Sequence, residues 1–224
     1  AMSVIVEDYA NREKWVEERG RGIGSSDVAA VLGVSPFKSN VNLWDEKMGL
    51  KEPEDISDLD YVRSGTESEA PLRILFGVDY PQYEIDYKEN RILINSKYNF
   101  IRCSPDSLLI EKETGRKGFL EIKRAEIRNS AQFDQWKNGR IPEHYYTQTL
   151  QYFLVDEEIE FGYLRVYLIR YLRDGVVVRE IRDYLIANSR KEKQADLDYL
   201  FAKELEFWNC IQNGTRPAKI LPNI

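Results

Sequence analysis

The sequence predicts an α/β fold with a mixed central sheet flanked by helices. Three observations carry this. Apolar residues alternate from about residue 83 to 123, whereas the flanking segments repeat at helical spacing. Phe161 to Leu172 and Val176 to Arg182 alternate again and meet at Asp174-Gly175, a strong hairpin turn. The segments run in the order helices, strands, helix, strands, helix.

The first third reads as helical. Tyr9 to Arg19 is a charged helix ending near Gly20 and Gly22. Ser25 and Ser26 are candidate caps for a helix through Val28 to Leu32, stopped by Gly33, and Val41 to Met48 is closed by Gly49. Lys51 to Asp60 is acidic, carries Pro53 and reads as a loop. From about Thr66 to Phe76 a helix returns, with Pro71 in its first turn or so and Leu72, Leu75 and Phe76 as its stripe. Tyr83 to Tyr87, Ile92 and Ile94, Asn99 to Arg102, Ser107 to Ile110 and Gly118 to Lys123 read as one meander of about four strands. Ile127 to Trp136 reads as a helix, and Pro142 opens another through Gln148, Tyr152 and Val155. From about Asn188 to Gln212, Leu197, Phe201, Leu205, Trp208 and Ile211 repeat at helical spacing, and residues after Gly214 are expected to fray. The whole chain, 1–224, reads as one domain, with a core of about 19–182 and a C-terminal helix of about 188–212.

Composition narrows the function. With 42% hydrophobic and 12% aromatic residues the chain can bury a core and is not a disordered polymer. No run of about 18 uncharged apolar residues exists, so no membrane span is expected. Val4 to Trp15 is charged throughout and gives no secretory signal, and Ala1 before Met2 reads as a tag remnant. Cys103 and Cys210 stand far apart, which excludes a cysteine zinc site or four-cysteine cluster within the chain and leaves a reducing cytoplasm as the expected setting. His144 is the single histidine, so a histidine-rich metal site is impossible. The net charge of -6 argues by itself against a nucleic-acid partner.

The chemistry concentrates on two neighbouring strands, Ser104-Pro105-Asp106 and Glu121-Ile122-Lys123. Residues two apart on a strand share a face, so Glu121 and Lys123 project together while Ile122 points to the core. If the segment after Asp106 pairs with Leu120 to Ile122, Asp106 lies near Glu121. Two carboxylates and a carbonyl make a hard-oxygen site for Mg²⁺ or Mn²⁺, and the lysine can orient or deprotonate a water for attack on a phosphodiester. Two other acid-x-lysine triplets, Asp45-Glu46-Lys47 and Asp86-Tyr87-Lys88, lack the upstream aspartate strand.

Five motifs then carry a family resemblance. They are Arg19 with Gly22-Ile23-Gly24-Ser25-Ser26-Asp27-Val28-Ala29-Ala30, Gly65-Thr66-Glu67-Ser68-Glu69, Cys103-Ser104-Pro105-Asp106, Leu120-Glu121-Ile122-Lys123, and Ile141-Pro142 leading to Tyr145, Gln148 and Tyr152. In this order, over about Arg19 to Val155, the chain resembles the YqaJ-like phage recombination exonucleases, the lambda-exonuclease group of the PD-(D/E)xK nuclease superfamily. The resemblance implies a restriction-endonuclease-like core and an Mg²⁺-dependent exonuclease, with Mn²⁺ substituting. Such an enzyme hydrolyses one strand of linear duplex DNA from the 5′ end and leaves 3′ overhangs for a single-strand annealing protein. It implies a ring-shaped homotrimer around duplex DNA. It also implies metal ligands Asp106, Glu121, the Ile122 carbonyl and Glu69, with Lys123 acting on the water and Gln148 contacting the metal-bound water or the phosphate. Arg19 and Ser26 would grip a phosphate, which suits an arginine fork beside a hydroxyl at a helix start.

Several readings stay open at this level. Gln151 competes with Gln148 for the active-site position. Ser107 stands where the family often has glycine. Arg124, Arg128, Lys137 and Arg140 line a DNA path or a solvated surface, and Tyr163, Tyr167 and Tyr171 belong to an interface or to the core. The alternatives in function are a metal-dependent endonuclease or structure-selective nuclease, and a catalytically inactive DNA-binding or assembly protein on the same fold.

Overall fold

The computed structural model describes residues 4–221, so the Ala1-Met2 start lies outside the described residues. A five-stranded mixed sheet has the order β2-β5-β6-β7-β8, built from Tyr83–Asp86, Ser107–Glu111, Lys117–Ile127, Ile159–Tyr171 and Val177–Ala187. Only β6 and β7 are parallel. Their connection carries α5 (Ser130–Asp134) and α6 (Glu143–Val155), the crossover that parallel pairing requires. β7 and β8 form the hairpin predicted at Asp174-Gly175, with Gly175 at φ 83°.

The predicted single meander is instead divided. β3 (Arg91–Asn95) and β4 (Arg102–Cys103) leave the main sheet and pair with β1 (Val4–Asp8) in a separate three-stranded sheet. β1 falls where only charge was read. It is mostly exposed, so it has no apolar alternation, and backbone pairing with β3 alone makes it a strand.

α4 (Asp60–Asp79) begins six residues earlier than Thr66, which places Pro71 in mid-helix. Pro71 faces solvent, where the carbonyl it leaves unpaired meets water. Leu72 and Phe76 are buried by α4, whereas Leu75 is exposed. The expected helix Ile127 to Trp136 shrinks to α5, because Ile127 still belongs to β6. Ser25 and Ser26 do not cap as expected. They lie inside a 3-10 turn, Ser25–Asp27, whose start is held by Asp27 Oδ2 accepting from the Gly24 N–H at 3.0 Å. α2 (Val28–Val31) follows it, and α3 (Asn40–Lys47) is capped by Ser39.

α4 covers one face of the main sheet, over Leu109, Leu120, Ile122 and Phe161. α6 covers the other, with Leu150, Tyr152 and Phe153 against Phe119, Leu164 and Val166. α7 (Gln194–Gln212) docks by Leu197, Leu200 and Phe207, with Glu204 fully buried among them rather than Leu205. Burial pushes the Glu204 carboxyl up to about 8, partly offset by Gln151 beside it. After Gly214 the chain does not fray as expected up to Leu221. The Asn40 side chain donates to the Ala218 carbonyl and accepts from the Ile220 N–H, and Arg216 pairs with Asp45.

Two glycines fix how β6 lies against β7. Gly118 is opposite Phe161, and Phe119 is opposite Gly162. A Cβ on Gly118 would sit 2.4 Å from the Phe161 ring, and one on Gly162 would sit 2.1 Å from the Phe119 ring. Each ring therefore fills the space above a bare backbone. Burial of each phenylalanine stabilises the fold by about 2 kcal/mol.

Candidate active site

The β5–β6 register pairs Ser107 with Leu120, which sets Asp106, the residue before β5, beside Glu121. Asp106 Oδ2 accepts from the Ile122 N–H at 2.8 Å. On an extended strand the N–H and C=O of one residue share an edge, so the Ile122 carbonyl is aimed at the same side. Ile122 packs its side chain under α4, and Glu121 and Lys123 project on the α6 face.

α6 supplies the opposite wall. Tyr145, Gln148 and Tyr152 fall on one face by their spacing. Tyr152 is fully buried and stacks flat on Phe119, with centroids 4.3 Å apart. Its hydroxyl donates to Glu121 Oε2 at 2.6 Å and accepts from the Asp106 N–H at 3.2 Å, so one phenol positions both acids. Gln148 Nε2 donates to Glu121 Oε1 at 3.4 Å. Lys123 Nζ lies 3.2 Å from the same oxygen and above the Tyr145 ring. Gln151 is elsewhere: it is buried and donates to the carbonyls of Ile23 and Arg102, joining the N-terminal segment to the small sheet. Of the two glutamines, Gln148 is the one that faces the acids.

α4 brings Glu69 and, one turn later, Arg73, which pair at 3.0 Å. Arg73 is buried, lies over the Tyr87 ring at 3.4 Å, and donates to the Asp106 carbonyl and to Ser107 Oγ. Ser107 thus accepts a bond that glycine would not offer. Arg73 was not singled out in the sequence, although its spacing from Glu69 is the signal of an i,i+4 pair.

These groups open on a cleft of about 460 Å³ that Arg19 and Ser26 also line. The Arg19 guanidinium lies 4.4 Å from the Trp15 ring centre, and Trp15 in turn donates to Ser104 Oγ. Arg12 lies over the same ring and lines the same cleft. Of the four basic residues proposed for a DNA path, Arg124 lines the cleft and pairs with Glu126, and Arg128 pairs with the same carboxylate. Lys137 pairs with Asp134, and Arg140 donates to the carbonyls of Lys137 and Asp134. Tyr163 and Tyr167 pack on the α4-side core, and Tyr171 lies under Arg128.

The site holds negative charge in excess. Burial, with Glu69 nearby, pushes the Asp106 carboxyl up to about 7. Burial and the neighbouring Asp106 push Glu121 up to about 8. Burial alone would lower the Lys123 ammonium, but Glu121 and Asp106 outweigh it and the net shift is upward. Among the described residues no trio of His, Cys, Asp or Glu side chains forms a closed metal cage. A hydrated Mg²⁺ does not need one, because it takes one or two carboxylates and keeps several waters. Two converging carboxylates short of positive charge, with a carbonyl beside them, fit that ion.

Comparisons with known proteins give the family and the fold. Residues 14–157 match the YqaJ-like viral recombinase domain. The YqaJ protein of Bacillus subtilis (strain 168) is 28% identical over 222 residues, 93% of this chain, and the chain spans 59% of that relative's length. An alkaline exonuclease of Laribacter hongkongensis, LHK-Exo, superposes with a TM-score of 0.59 at 19% identity, covering 92% of this chain and 97% of that one. Its complex with dAMP gives 0.58 at 18% identity over the same shares. The predicted fold, a mixed sheet flanked by helices with a restriction-endonuclease-like core, is the fold these enzymes share with this chain. With the family's domain matched over well over half its length, this chain belongs to the YqaJ-like viral recombinase domain family.

Proposed function

We propose that the chain is an Mg²⁺-dependent deoxyribonuclease that removes nucleotides from one strand of linear duplex DNA, beginning at a 5′ end. The observation that carries this reading is the convergence of Asp106, Glu121, Lys123 and Gln148 in the cleft that Arg19 and Ser26 also line. LHK-Exo, which shares the fold, forms a complex with dAMP, and this supports a nucleotide as the class of ligand.

Asp106, Glu121 and the Ile122 carbonyl would hold the ion, with Glu69 completing its shell from α4. When bound, Mg²⁺ or Mn²⁺ supplies charge stabilisation to the phosphoryl oxygens. Lys123, 3.2 Å from Glu121 Oε1, orients or deprotonates the attacking water. Gln148 fixes Glu121 and reaches the same water. Tyr152 keeps both acids aimed inward. Arg19 and Ser26 hold the terminal 5′ phosphate, the fork supplying two parallel donors. The 3′ overhang left behind suits a single-strand annealing partner, and a homotrimeric ring would keep the enzyme on its duplex.

The test uses linear duplexes with 5′-phosphate or 5′-hydroxyl ends and a covalently closed duplex, each with Mg²⁺, Mn²⁺ or EDTA. Digestion of linear DNA only, faster with the phosphate and abolished by EDTA, is expected. Efficient cutting of the closed circle would place the chain among endonucleases. No cleavage of any substrate, with no heat of Mn²⁺ binding, would make it a binding protein.

A further inference from the structure

A second groove of about 640 Å³ adjoins the cleft. Tyr61 and Arg124 line both, so the two are continuous. Arg19 and Ser26 line only the first, and Phe37, His144 and Arg128 line only the second. The second groove therefore leaves the acids on a side that does not hold the phosphate grip.

Its lining combines flat rings with guanidinium groups. Phe37, in the loop between α2 and α3, is 78% exposed, more than any other large hydrophobic among the described residues. It meets the His144 ring edge-on at 5.9 Å, and His144 packs on Tyr145 at 4.3 Å. Tyr61, on the first turn of α4, is 54% exposed. Arg124 and Arg128 share the one Glu126 carboxylate, which leaves one positive charge over between them. Exposed rings beside unneutralised guanidinium are the features that bind unpaired nucleotides, by stacking bases and tracking phosphates.

We propose that this groove holds the scissile strand on the 3′ side of the terminal nucleotide, unpaired, with Phe37 as the ring on which a base stacks. The proposal rests on the nuclease reading of the cleft. A terminal phosphate at Arg19 and Ser26 puts the first phosphodiester at Asp106 and Glu121, and the rest of the strand then leaves past Tyr61 and Arg124. From Lys123 to Arg128, along the end of β6 and one residue past it, an extended backbone spans roughly 16 Å, room for at most about five stacked nucleotides.

The test measures binding of 5′-phosphorylated single strands of two to eight nucleotides to the full chain with Ca²⁺, by fluorescence anisotropy. A 2-aminopurine is placed at successive positions to report stacking. Wild type should gain affinity from two nucleotides up to about five and then level off, with quenching strongest at an internal position. Phe37→Ala should reduce that gain about tenfold and abolish the internal quenching. Tyr199→Ala, an exposed ring on α7 outside both grooves, should keep both. An equal gain and equal quenching in Phe37→Ala and wild type would overturn the groove assignment, as would affinity independent of length. Mg²⁺-dependent digestion of linear duplex by wild type is scored separately. If it persists, the groove assignment alone falls; if it is absent, the nuclease reading falls with it.

Discussion

Two of the charged clusters that the described residues form lie on opposite faces of the main sheet, and the two are built differently. On the α4 face Arg165, 1% exposed, is held by Asp183 at 2.8 Å and 2.9 Å and by Asp79 at 2.6 Å, and the Tyr80 hydroxyl donates to Asp183. Although burial opposes it, these partners raise the Arg165 pKa. On the α6 face Asp106 and Glu121 crowd one ammonium, and both acids are pushed up. One cluster sets a buried guanidinium against two carboxylates that reach solvent, and fastens α4 to β7 and β8. In the other the two acids are themselves desolvated around one ammonium, and they open on a cleft. A buried cation met by carboxylates that reach solvent is architecture; desolvated acids that crowd one cation beside an opening are poised for a ligand.

The largest expected effect separates the clusters outright. Asp106→Asn or Glu121→Gln should lower cleavage by more than about a hundredfold, since loss of even an outer partner of a metal ligand costs about 10–100-fold. The same changes should raise metal-free stability at pH 7 by about 1 kcal/mol or more, because folding no longer has to protonate a desolvated carboxylate. Arg165→Met should do the reverse, losing about 3 kcal/mol by urea denaturation while the folded fraction still cuts DNA. If Asp106→Asn destabilises and Arg165→Met does not, the contrast is wrong.

Within the α6-face cluster, Lys123→Ala should lower kcat about a hundredfold or more while calorimetric Mn²⁺ affinity stays within a fewfold, whereas Asp106→Ala loses both. Activity equal to wild type in Lys123→Ala would remove the lysine from the chemistry.

A pH series sharpens the comparison further. Between about pH 4 and 8 the folded chain keeps protons on Asp106, Glu121 and Glu204 that the unfolded chain has released. Stability of the metal-free protein should therefore fall as pH rises through that window. Mg²⁺ should flatten the part owed to the two cleft acids, and Glu204→Gln the remainder. A Tm series from pH 5 to 8, with and without Mg²⁺, measures both. The smallest effect is expected for Ser107→Ala. It removes the acceptor for Arg73 and should cost about 1 kcal/mol, with Arg73 still bonded to the Asp106 carbonyl.

The parts of the site legible in the sequence are those fixed by local geometry. A two-residue strand period places Glu121 beside Lys123, and one helical turn places Gln148 beside Tyr152. Asp106 follows from a register that a single short turn at Gly115 sets. What the sequence hid depends on distant partners. β1 exists only through β3, and β3 and β4 split from the main sheet because Ile101 and Arg102 also engage the Ile23 segment. Arg73 reads as a helix charge until the Asp106 carbonyl arrives beneath it. The tail after Gly214 reads as loose because its anchor, Asn40, lies 178 residues away from the Ala218 carbonyl it holds.

The paired rings of Phe119 and Phe161 carry a consequence for assembly. Each ring needs a vacant backbone position across the β6–β7 seam, and β6 and β7 each offer one. Slip the strands by one residue and both rings strike occupied ground. The same slip would carry Leu164 and Val166 of β7, the floor on which α6 packs, to the opposite face, and α6 is the helix that holds Gln148 and Tyr152 on Glu121. Threading and chemistry thus share one key: a molecule that has seated these rings has already turned its acids toward the cleft, and a misaligned one has no partial site to offer.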